Sequence, residues 1–347
     1  MRFTFTDEQI MMAEMTRKLL LAECTSDRLR SLMAAGQSFD ADRWGKLMDL
    51  GLAGALVPED NGGLGLGCAD VIQVAQACGY VALPEPLVEL AGVTLPLLAA
   101  LDAPELLARV LSGQAFVALA HPLNPVVVDA DRAEAILRIG PDRVDLIPAA
   151  SVQMTPQPSI DPFRRLFRIE VDEAGARLLA SGAAAARLSA QTVDRAALFA
   201  AAQMLGMAQR CVDLSVAYTS ERRQFGKPIG TYQAVKHHLA TAQVKIEFAR
   251  PVLHAAAALV PGAGAATAAR ISHAKIACAE AADLAARSAV QVHGGMGYSW
   301  EVDVHFYLKR ILALTHAWGT PVWHRDRIAA RVFDAPRDID TLFPQEG

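Results

Sequence analysis

The 347-residue sequence predicts a mainly α fold with a small β-domain: an N-terminal helical domain, a middle β-domain and a C-terminal four-helix bundle. Two observations place the helices: apolar residues recur at three- and four-residue steps from residue 6 to about 113, and again from about 190 almost to the end. A third places the β-domain, since short strand-like runs separated by Pro, Gly, Asp and Asn lie between them. We therefore expect domains at residues 1–113, 114–187 and 188–347.

The N-terminal domain begins with a helix that Thr6 can cap, with the acidic residues Asp7 and Glu8 in its first turn. A second helix is predicted over 40–52, ended by Gly51, and a glycine-rich loop follows at 57–65. On its own such a loop is more typical of a tight connection than of a binding site. Further helices are predicted over 68–79, 88–101 and 104–111.

The middle β-domain is predicted from five short runs rich in strand-forming residues. They lie at 116–120, 126–129, 134–139, 144–147 and 167–171.

The C-terminal bundle is predicted from long apolar repeats. They cover 193–220, 232–259, 265–290, 302–314 and 322–333. Pro251 should kink the second of these helices or end it at Arg250, because proline lacks a backbone donor and crowds the preceding turn. The first helix is apolar on nearly every side, which predicts further burial against another subunit and hence an oligomer.

Composition narrows the class of protein. Hydrophobic residues make up 52% and charged residues 20%, as in soluble globular proteins. No apolar run reaches the roughly 18 to 20 residues of a membrane span, and the first residues lack the features of a signal peptide. The five scattered cysteines fit a reducing compartment, so a cytoplasmic location is expected. The net charge of -4 argues against nucleic acid as a partner.

A polar, cationic break at residues 221–233 separates the first two helices of the bundle. Its positive charge comes from Arg222, Arg223 and Lys227. Gly226, Pro228 and Gly230 end the helix and permit a turn of unusual backbone shape. This corner suits an anion, and the alternative is an exposed basic loop that only keeps the bundle soluble.

The order of residues in this segment resembles a known sequence signature. The run Glu-Arg-x-Gln-Phe-Gly-Lys-Pro-Ile-Gly-x-Tyr-Gln at 221–233 is similar to the C-terminal domain signature of the acyl-CoA dehydrogenase family. Residues 291–298 resemble that family's Gln-x-x-Gly-Gly-x-Gly-Tyr turn, and 57–65 resemble its Val-Pro-Glu-x-x-Gly-Gly-x-Gly segment. The order of helices, small sheet and bundle is also that of the family, so the resemblance covers essentially the whole chain.

The resemblance implies FAD-dependent desaturation of an acyl-CoA thioester, with electron-transfer flavoprotein as the expected electron acceptor. In the family, one subunit holds the ADP half of an FAD whose flavin lies mainly on its neighbour. Carried onto this chain, Arg222 pairs with the pyrophosphate, and Gln224 and Phe225 contact the adenosine side. Gln291, Gly294 and Gly295 complete this cofactor-binding set, the glycines letting backbone amides approach a phosphate.

The flavin half of the site departs from the family pattern. Where the family has a Thr-Glu-Pro-x-x-Gly-Ser-Asp segment and then a Trp-Ile-Thr-Asn-like strand, this chain reads Ala-His-Pro-Leu-Asn at 120–124 and passes at once to 126–133. The hairpin between the two elements is missing, and a family-like stretch returns at 159–166. The sequence therefore predicts the loss of the surface that covers the flavin ring.

The catalytic base is also absent from its family position and remains unknown from the sequence. The family's Tyr-Glu-Gly-Thr corresponds to Ala-Trp-Gly-Thr at 317–320, and a second family position falls near Ala196. Asp194 is the one candidate for a base, with a helix N-cap or first-turn residue as the alternative interpretation. Trp318 is interpreted as a core residue. Adjacent His237 and His238 point to different sides of a helix, so no metal site is expected.

Three hypotheses follow from this pattern. The first is a subunit of a heteromeric acyl-CoA dehydrogenase, resembling bacterial enzymes for bulky substrates such as steroid side chains, which lends its half of the FAD site to a full-length homologous partner. The second is a homo-oligomeric dehydrogenase that catalyses alone through a rearranged site. The third is a non-catalytic scaffold that binds acyl-CoA or a partner.

Overall fold

The computed structural model describes residues 4–260, 262 and 264–333, and its helices and strands follow the predicted order. From residue 4 to residue 113, the regular elements of the N-terminal domain are helices. They are α1 (Asp7–Glu23), α2 (Ser26–Ala34), α3 (Ala41–Asp49), α4 (Cys68–Tyr80), α5 (Leu87–Glu89), α6 (Leu95–Ala99) and α7 (Pro104–Leu111). A π-helical turn over Leu90–Thr94 joins α5 to α6, so the helix predicted over 88–101 is one irregular helical segment.

The first helix begins as predicted. The Thr6 hydroxyl accepts a hydrogen bond from the backbone of Gln9, and the Gln9 side chain accepts one from the backbone of Thr6. This capping box satisfies two of the amide groups that a helix start leaves unpaired. Helix α2 was not predicted, although the Thr25 hydroxyl caps it by accepting a hydrogen bond from the backbone of Arg28.

The middle domain consists of two small sheets. Its strands are β1 (Val117–Ala120), β2 (Val127–Val128), β3 (Ala135–Ile139), β4 (Arg143–Pro148), β5 (Val152–Gln157), β6 (Leu166–Val171) and β7 (Arg177–Ser181). One sheet has the order β1-β3-β4-β7, with β1 parallel to β3 and the other pairs antiparallel; the second is antiparallel in the order β2-β6-β5. Strands β5 and β7 were missed by the sequence analysis.

The C-terminal part is a helical bundle with a short hairpin. It contains α8 (Gly182–Glu221), β8 (Arg223–Gln224), β9 (Lys227–Pro228), α9 (Gln233–Ala257), α10 (Ala265–His293), α11 (Val304–His316) and α12 (Pro321–Phe333). Helix α8 begins at Gly182, well before the predicted 193. Of the two alternatives predicted for Pro251, an end of the helix at Arg250 is wrong: the helix continues because Leu253, Ala256 and Ala257 are buried beyond it, while Pro251 itself faces solvent. A kink at Pro251 stays a prediction.

Helix α8 lies at the centre of the chain, in contact with α4 on one side and α9 and α10 on the other. Helices α4 and α8 approach closely because each carries a glycine at the contact. A Cβ on Gly206 would lie 1.9 Å from the carbonyl oxygen of Gln76, and a Cβ on Gly79 would lie 2.1 Å from that of Gln203. The apolar character of α8 is therefore satisfied within one chain and does not by itself require a second subunit, contrary to the sequence argument.

One buried ion pair lies within the N-terminal domain, and a second joins the predicted domains. The guanidinium of Arg43 donates two hydrogen bonds of 2.8 Å to the carboxylate of Glu85. Arg310 of α11 pairs with Asp161 of the middle domain and donates to the carbonyl of Leu83 at 3.0 Å. Because both partners of each pair are buried, losing either one leaves a charge uncompensated.

Candidate functional site

The cationic corner at the end of α8 is a two-residue β-hairpin. Strands β8 and β9 pair Arg223 with Pro228 and Gln224 with Lys227. The two loop residues, Phe225 and Gly226, have φ of +53° and +82°, as the tightest hairpin turns require. A phenylalanine in this conformation is strained, which marks the turn as a functional candidate.

The hairpin presents its side chains to solvent. Phe225 is 92% exposed, and its ring meets only the edge of Tyr232 at a centroid distance of 6.4 Å. Lys227 Nζ lies 4.3 Å from the Tyr232 ring centre, and Arg223 donates to the carbonyl of Gly226 at 3.3 Å. Arg222 is exposed, and the part of the chain that the structure describes gives its side chain no acidic partner within 4.0 Å. Its guanidinium is therefore available to an anion.

The second motif lies beside the first, at the end of α10. The rings of Tyr218, one turn before Arg222, and His293 stack with a centroid distance of 4.3 Å. His293 is buried, and its Nδ1 donates to the carbonyl of Ala289 at 2.7 Å. Burial lowers the pKa of His293, so the neutral ring serves packing rather than anion binding.

The glycines of this turn differ in what surrounds them. Gly294 has a φ of +61°, and a Cβ at Gly294 or Gly295 would meet nothing within 4 Å. A Cβ at Gly297 would lie 2.5 Å from the carbonyl oxygen of Val290. Gly297 is thus required by packing, whereas the space at Gly295 is open to a ligand. Gln291, Gly294 and Gly295 are all exposed at the same end of the bundle as Arg222.

The connection between β1 and β2 is a short turn that packs against the bundle. The backbone amide of Leu123 donates to His121 Nδ1 at 3.1 Å, so His121 Nε2 carries the proton and donates to Ser189 Oγ at 3.2 Å. Asn124 Oδ1 accepts a hydrogen bond from the backbone amide of Trp318 at 2.9 Å. These contacts hold the turn closed against α8 and the loop after α11.

Trp318 fills the space beside that turn. It is 9% exposed, packs with Val93 and Ala196, and has a φ of +58°. His324 fixes its backbone, because His324 Nε2 donates to the carbonyl of Trp318 at 3.1 Å. Burial lowers the pKa of His324 to about 3, so this histidine stays neutral at physiological pH. The structure thus agrees with the interpretation of Trp318 as a core residue.

Asp194 lies well inside α8, so the N-cap or first-turn interpretation is wrong. Its carboxylate accepts a hydrogen bond from Arg327 Nη2 at 2.7 Å, and burial raises its pKa. It borders a cavity of about 160 Å³ together with Arg187 and Arg195, apart from the larger cavity described next. Whether it has a catalytic role stays a prediction.

A cavity of about 460 Å³ lies where the three predicted domains meet. Its wall includes residues from α5, the π-turn, β1, the 158–166 segment, α11 and the loop that carries Trp318. Three carboxylates border it, Glu85, Glu89 and Asp129. None of them was singled out from the sequence, and Asp129 stands out in the structure by its φ of +53°.

The chain matches the acyl-CoA dehydrogenase N-terminal domain family over residues 6–114 and the C-terminal domain family over residues 187–333. Acyl-CoA dehydrogenase IpdE2 of Mycobacterium tuberculosis is 33% identical over 334 residues, which cover 95% of this chain and 99% of the relative. The chain belongs to the acyl-CoA dehydrogenase family. The protein of the same name from Mycolicibacterium smegmatis is 31% identical over 94% of this chain and 100% of its own length.

Solved structures of acyl-CoA dehydrogenases share the fold. A chain of the ChsE4-ChsE5 complex from Mycobacterium tuberculosis superposes with a TM-score of 0.87 at 24% identity, covering 97% of this chain and all of that one. Butyryl-CoA dehydrogenase from Megasphaera elsdenii gives a TM-score of 0.85 at 17% identity, with coverages of 96% and 100%. The predicted family and the mainly α fold with its small β-domain are therefore confirmed.

Membership of the acyl-CoA dehydrogenase family supports oxidoreductase activity with FAD as the cofactor. The residues of this chain fit the two halves of FAD differently. The corner around Arg222 and Gly295 is exposed and open, as a nucleotide-phosphate site requires. Beside the shortened β1-β2 turn, His121, Asn124 and Trp318 bond to or pack on their own chain, so the residues there do not fit a flavin ring.

Three further observations concern the predictions about membrane spans, cysteines and metal sites. None of the helices within residues 4–333 that the structure describes is long and apolar enough to cross a membrane. All five cysteines are buried and unpaired. His237 and His238 are both exposed, and the described residues include no group of three or more metal-ligating side chains.

Proposed function

We propose that this chain is one subunit of a heteromeric acyl-CoA dehydrogenase, and that it contributes the ADP half of the FAD site to a homologous full-length partner. Arg222 pairs with the pyrophosphate, Gln224 and Phe225 contact the adenosine side, and Gln291, Gly294 and Gly295 complete the pocket. We call these six residues the nucleotide clasp. FAD, when bound, supplies the hydride acceptor for α,β-desaturation of an acyl-CoA thioester, and the partner supplies the base.

The observation that carries the proposal is the contrast between the two halves of the site. The nucleotide clasp is exposed and makes few contacts within its own chain, whereas His121, Asn124 and Trp318, beside the β1-β2 turn, are held by contacts within their own chain. Trp318 also occupies the position that matches the family's glutamate. In a homodimer, the clasp of one copy would face the same shortened turn and the same tryptophan on the other, so we infer that the complementary half comes from a different chain.

Exposed apolar side chains around the clasp support an association surface. Tyr298 is 86% exposed and Trp300 58%, both directly after the glycine turn. Large exposed aromatic side chains in one region are typical of protein interfaces. A homologous subunit is the partner that the family resemblance implies.

The substrate class and electron acceptor are carried over from relatives. A structure titled as a steroid acyl-CoA dehydrogenase, Tcur3481-Tcur3483, shares this fold with a TM-score of 0.82 at 23% identity. We propose a bulky, ring-containing acyl-CoA as substrate and electron-transfer flavoprotein as the electron acceptor.

The test is flavin stoichiometry. The chain is purified alone and after co-expression with a full-length homologous acyl-CoA dehydrogenase, and flavin per protein is measured from the visible spectrum. We expect colourless protein alone and stoichiometric FAD in the complex. Yellow, active protein without a partner would instead support the self-sufficient enzyme, and absence of flavin in both preparations would support a non-catalytic scaffold.

A pair of matched variants locates the cofactor contact. Arg222→Gln in the complex should weaken FAD binding roughly 10- to 100-fold, the loss of one charge-assisted hydrogen bond. Arg177→Gln makes the same chemical change at an exposed position of β7 and should leave FAD affinity unchanged. Equal effects of the two variants would contradict the assignment of Arg222.

A further inference from the structure

Lys275 is a buried lysine of α10 whose side chain ends at the last turn of α11. It is 1% exposed. Its Nζ donates to the carbonyl of Leu314 and, at 3.2 Å, to that of Ala317. In a continued helix the Leu314 carbonyl would accept from the backbone amide of Trp318, but that amide donates to Asn124 Oδ1 at 2.9 Å. Lys275 therefore supplies the donor that the end of α11 lacks.

A positive charge on Lys275 has little compensation. A lysine nitrogen carries three N–H donors when protonated, and the described residues offer Nζ two neutral carbonyl oxygens and no carboxylate within 4.0 Å. Carbonyl groups replace only part of the hydration that a buried ammonium loses. Burial, with a smaller effect from the charge of Arg164, lowers the pKa of Lys275 to about 7. The buried site thus disfavours the proton that water would stabilise.

The other ionisable groups that interact electrostatically with Lys275 keep one charge state between pH 6 and 9. Burial raises the pKa of Cys278, one turn along α10, to about 12 and lowers that of His324, on α12, to about 3. Arg164 stays charged, as arginine does in proteins. Lys275 is thus the member of this group whose charge changes near neutral pH. Charged residues on the elements that pack against α10 form the ion pairs Asp194–Arg327, Asp161–Arg310, Glu247–Arg250 and Glu280–Arg325, and burial lowers the pKa of His254 on α9 to about 4.

The loop at 317–320, to which Lys275 donates, has a strained backbone. Trp318 and Gly319 have φ of +58° and +102°, and a tryptophan in the left-handed region is unfavourable. Side chains from separate elements hold the loop in this shape. Asn124 Oδ1 accepts from the amide of Trp318, and His324 Nε2 donates to its carbonyl at 3.1 Å. A strained loop held by a few side-chain bonds can open locally while the rest of the chain stays folded.

The helix that follows the loop is also held largely by polar contacts. Within the described helix α12, His324 is the one buried residue. Arg327 donates to Asp194 Oδ1 at 2.7 Å and to Ser272 Oγ at 3.3 Å. Water can replace such contacts more readily than it can enter an apolar core. The loop and α12 can therefore move together, and their movement would bring Lys275 into contact with water.

We propose that residues 317–320 and α12 form a gate over Lys275, and that a proton on Lys275 favours the open gate. The ammonium is dry when the gate is closed and hydrated when it is open, so the open gate binds the proton more tightly. Raising the pH above 7 removes this advantage and favours closure. Trp318 borders the 460 Å³ cavity, so the gate controls access to one of its walls. The gate uses no residue of the nucleotide clasp and goes beyond the proposed function.

Hydrogen–deuterium exchange of the full chain, read by mass spectrometry, measures the opening of the gate. Protection of the amides at 317–320 is corrected for the intrinsic pH dependence of exchange. With a pKa of about 7 when closed and the ordinary 10.5 when open, protection should be constant from pH 5 to 6 and rise roughly 10- to 50-fold from pH 7 to 9. Because a local opening exposes little surface, about 0.5 M urea should not change this exchange, whereas exchange through global unfolding should accelerate. The same profile is expected in the complex with a full-length homologue.

Three variants assign the pH dependence to Lys275. Lys275→Met keeps an unbranched side chain without an ionisable group, so the rise in protection from pH 7 to 9 should fall below about 3-fold. Lys309→Met makes the same change on α11, where Nζ lies 3.8 Å from the Trp300 ring centre, and should keep the full rise. His316→Gln replaces an exposed histidine directly before the loop and should also keep it. Circular dichroism and thermal melting check that the variants are folded.

The unmodified chain can overturn the proposal without any variant. Protection that stays constant from pH 7 to 9, or loop exchange as sensitive to urea as that of the core, excludes a local gate that responds to a proton. A rise that persists in Lys275→Met, or is lost in Lys309→Met or His316→Gln, contradicts the assignment to Lys275. Flavin stoichiometry in the co-expressed complex is measured independently, so failure here is distinguishable from failure of the proposed function.

Discussion

The glycine turn after α10 offers a test of the nucleotide clasp that adds only one methyl group. Gly295 has an ordinary φ, and a Cβ there meets nothing within 4 Å in the isolated chain. Gly295→Ala should therefore leave the free energy of unfolding within about 0.5 kcal/mol, or raise it slightly, because alanine restricts the unfolded chain. The open space is the space that a phosphate needs.

The Gly295→Ala substitution should weaken FAD binding without destabilising the fold. If a Cβ at Gly295 displaces a phosphate from one backbone amide, the loss is about 1.5 to 3 kcal/mol, the value of a hydrogen bond to a charged group. Since 1.4 kcal/mol is a factor of ten, FAD should bind roughly 10- to 100-fold more weakly. The assay removes FAD from the complex with a full-length homologue and titrates it back, following flavin absorbance.

Two other glycines provide controls. Gly45 lies inside α3 with equally open space, so Gly45→Ala should raise the free energy of unfolding by about 0.5 to 1 kcal/mol and leave FAD affinity unchanged. Gly297→Ala would bring a Cβ to 2.5 Å from the carbonyl oxygen of Val290 and should destabilise the fold. An unchanged FAD affinity in folded Gly295→Ala would refute the placement of a phosphate beside this glycine.

Three further predictions concern the stability of the chain. Lys275 is buried and its pKa is lowered from 10.5 to about 7 by desolvation, so the unfolded chain binds more protons between these values and stability rises with pH across them. From pH 7 to pH 9, the unfolding free energy of the unmodified chain should rise by about 2 kcal/mol relative to that of Lys275→Met, measured by urea titration. A difference between the two that does not change with pH would contradict this. Gly206→Ala places a Cβ 1.9 Å from a backbone carbonyl oxygen of α4, so thermal melting should show a loss of about 3 kcal/mol or more, and an unchanged melting temperature would exclude the close helix contact. Asp161→Asn leaves the buried guanidinium of Arg310 uncompensated and should cost about 3 to 5 kcal/mol, whereas Asp283→Asn in an exposed pair should cost under about 1 kcal/mol; similar losses would contradict the role of burial.

Elements whose signals are local could be predicted from the sequence. The Thr6 cap, helix α7 and most of α10 follow from capping residues, proline positions and apolar periodicity, all of which act within a few residues. Helix α2 was missed because only two of its residues, Leu29 and Leu32, are buried, which is too few to give a visible apolar repeat.

The missed strands depend on pairing with distant segments. Strand β5 has no buried residue, and Pro156 interrupts the apolar–polar alternation that begins at Val152, so its pairing with β6 is what stabilises it. Strand β7 pairs with β4 in the same manner, and α8 begins directly after it. The alanine-rich start of α8 shows no apolar stripe, so its beginning could not be placed from periodicity.

The candidate site also has one part with local sequence signals and one part that depends on long-range packing. The nucleotide clasp is carried by two short segments whose residue order is visible in the sequence, and the Tyr218–His293 stack brings them to one end of the bundle. The larger cavity instead collects residues from all three predicted domains, and Asp129 becomes unusual only through its left-handed backbone and its unpaired oxygen. Neither property is encoded by neighbouring residues alone. The residues of the proposed nucleotide clasp are therefore readable from motifs, whereas the cavity forms only when distant segments are packed together.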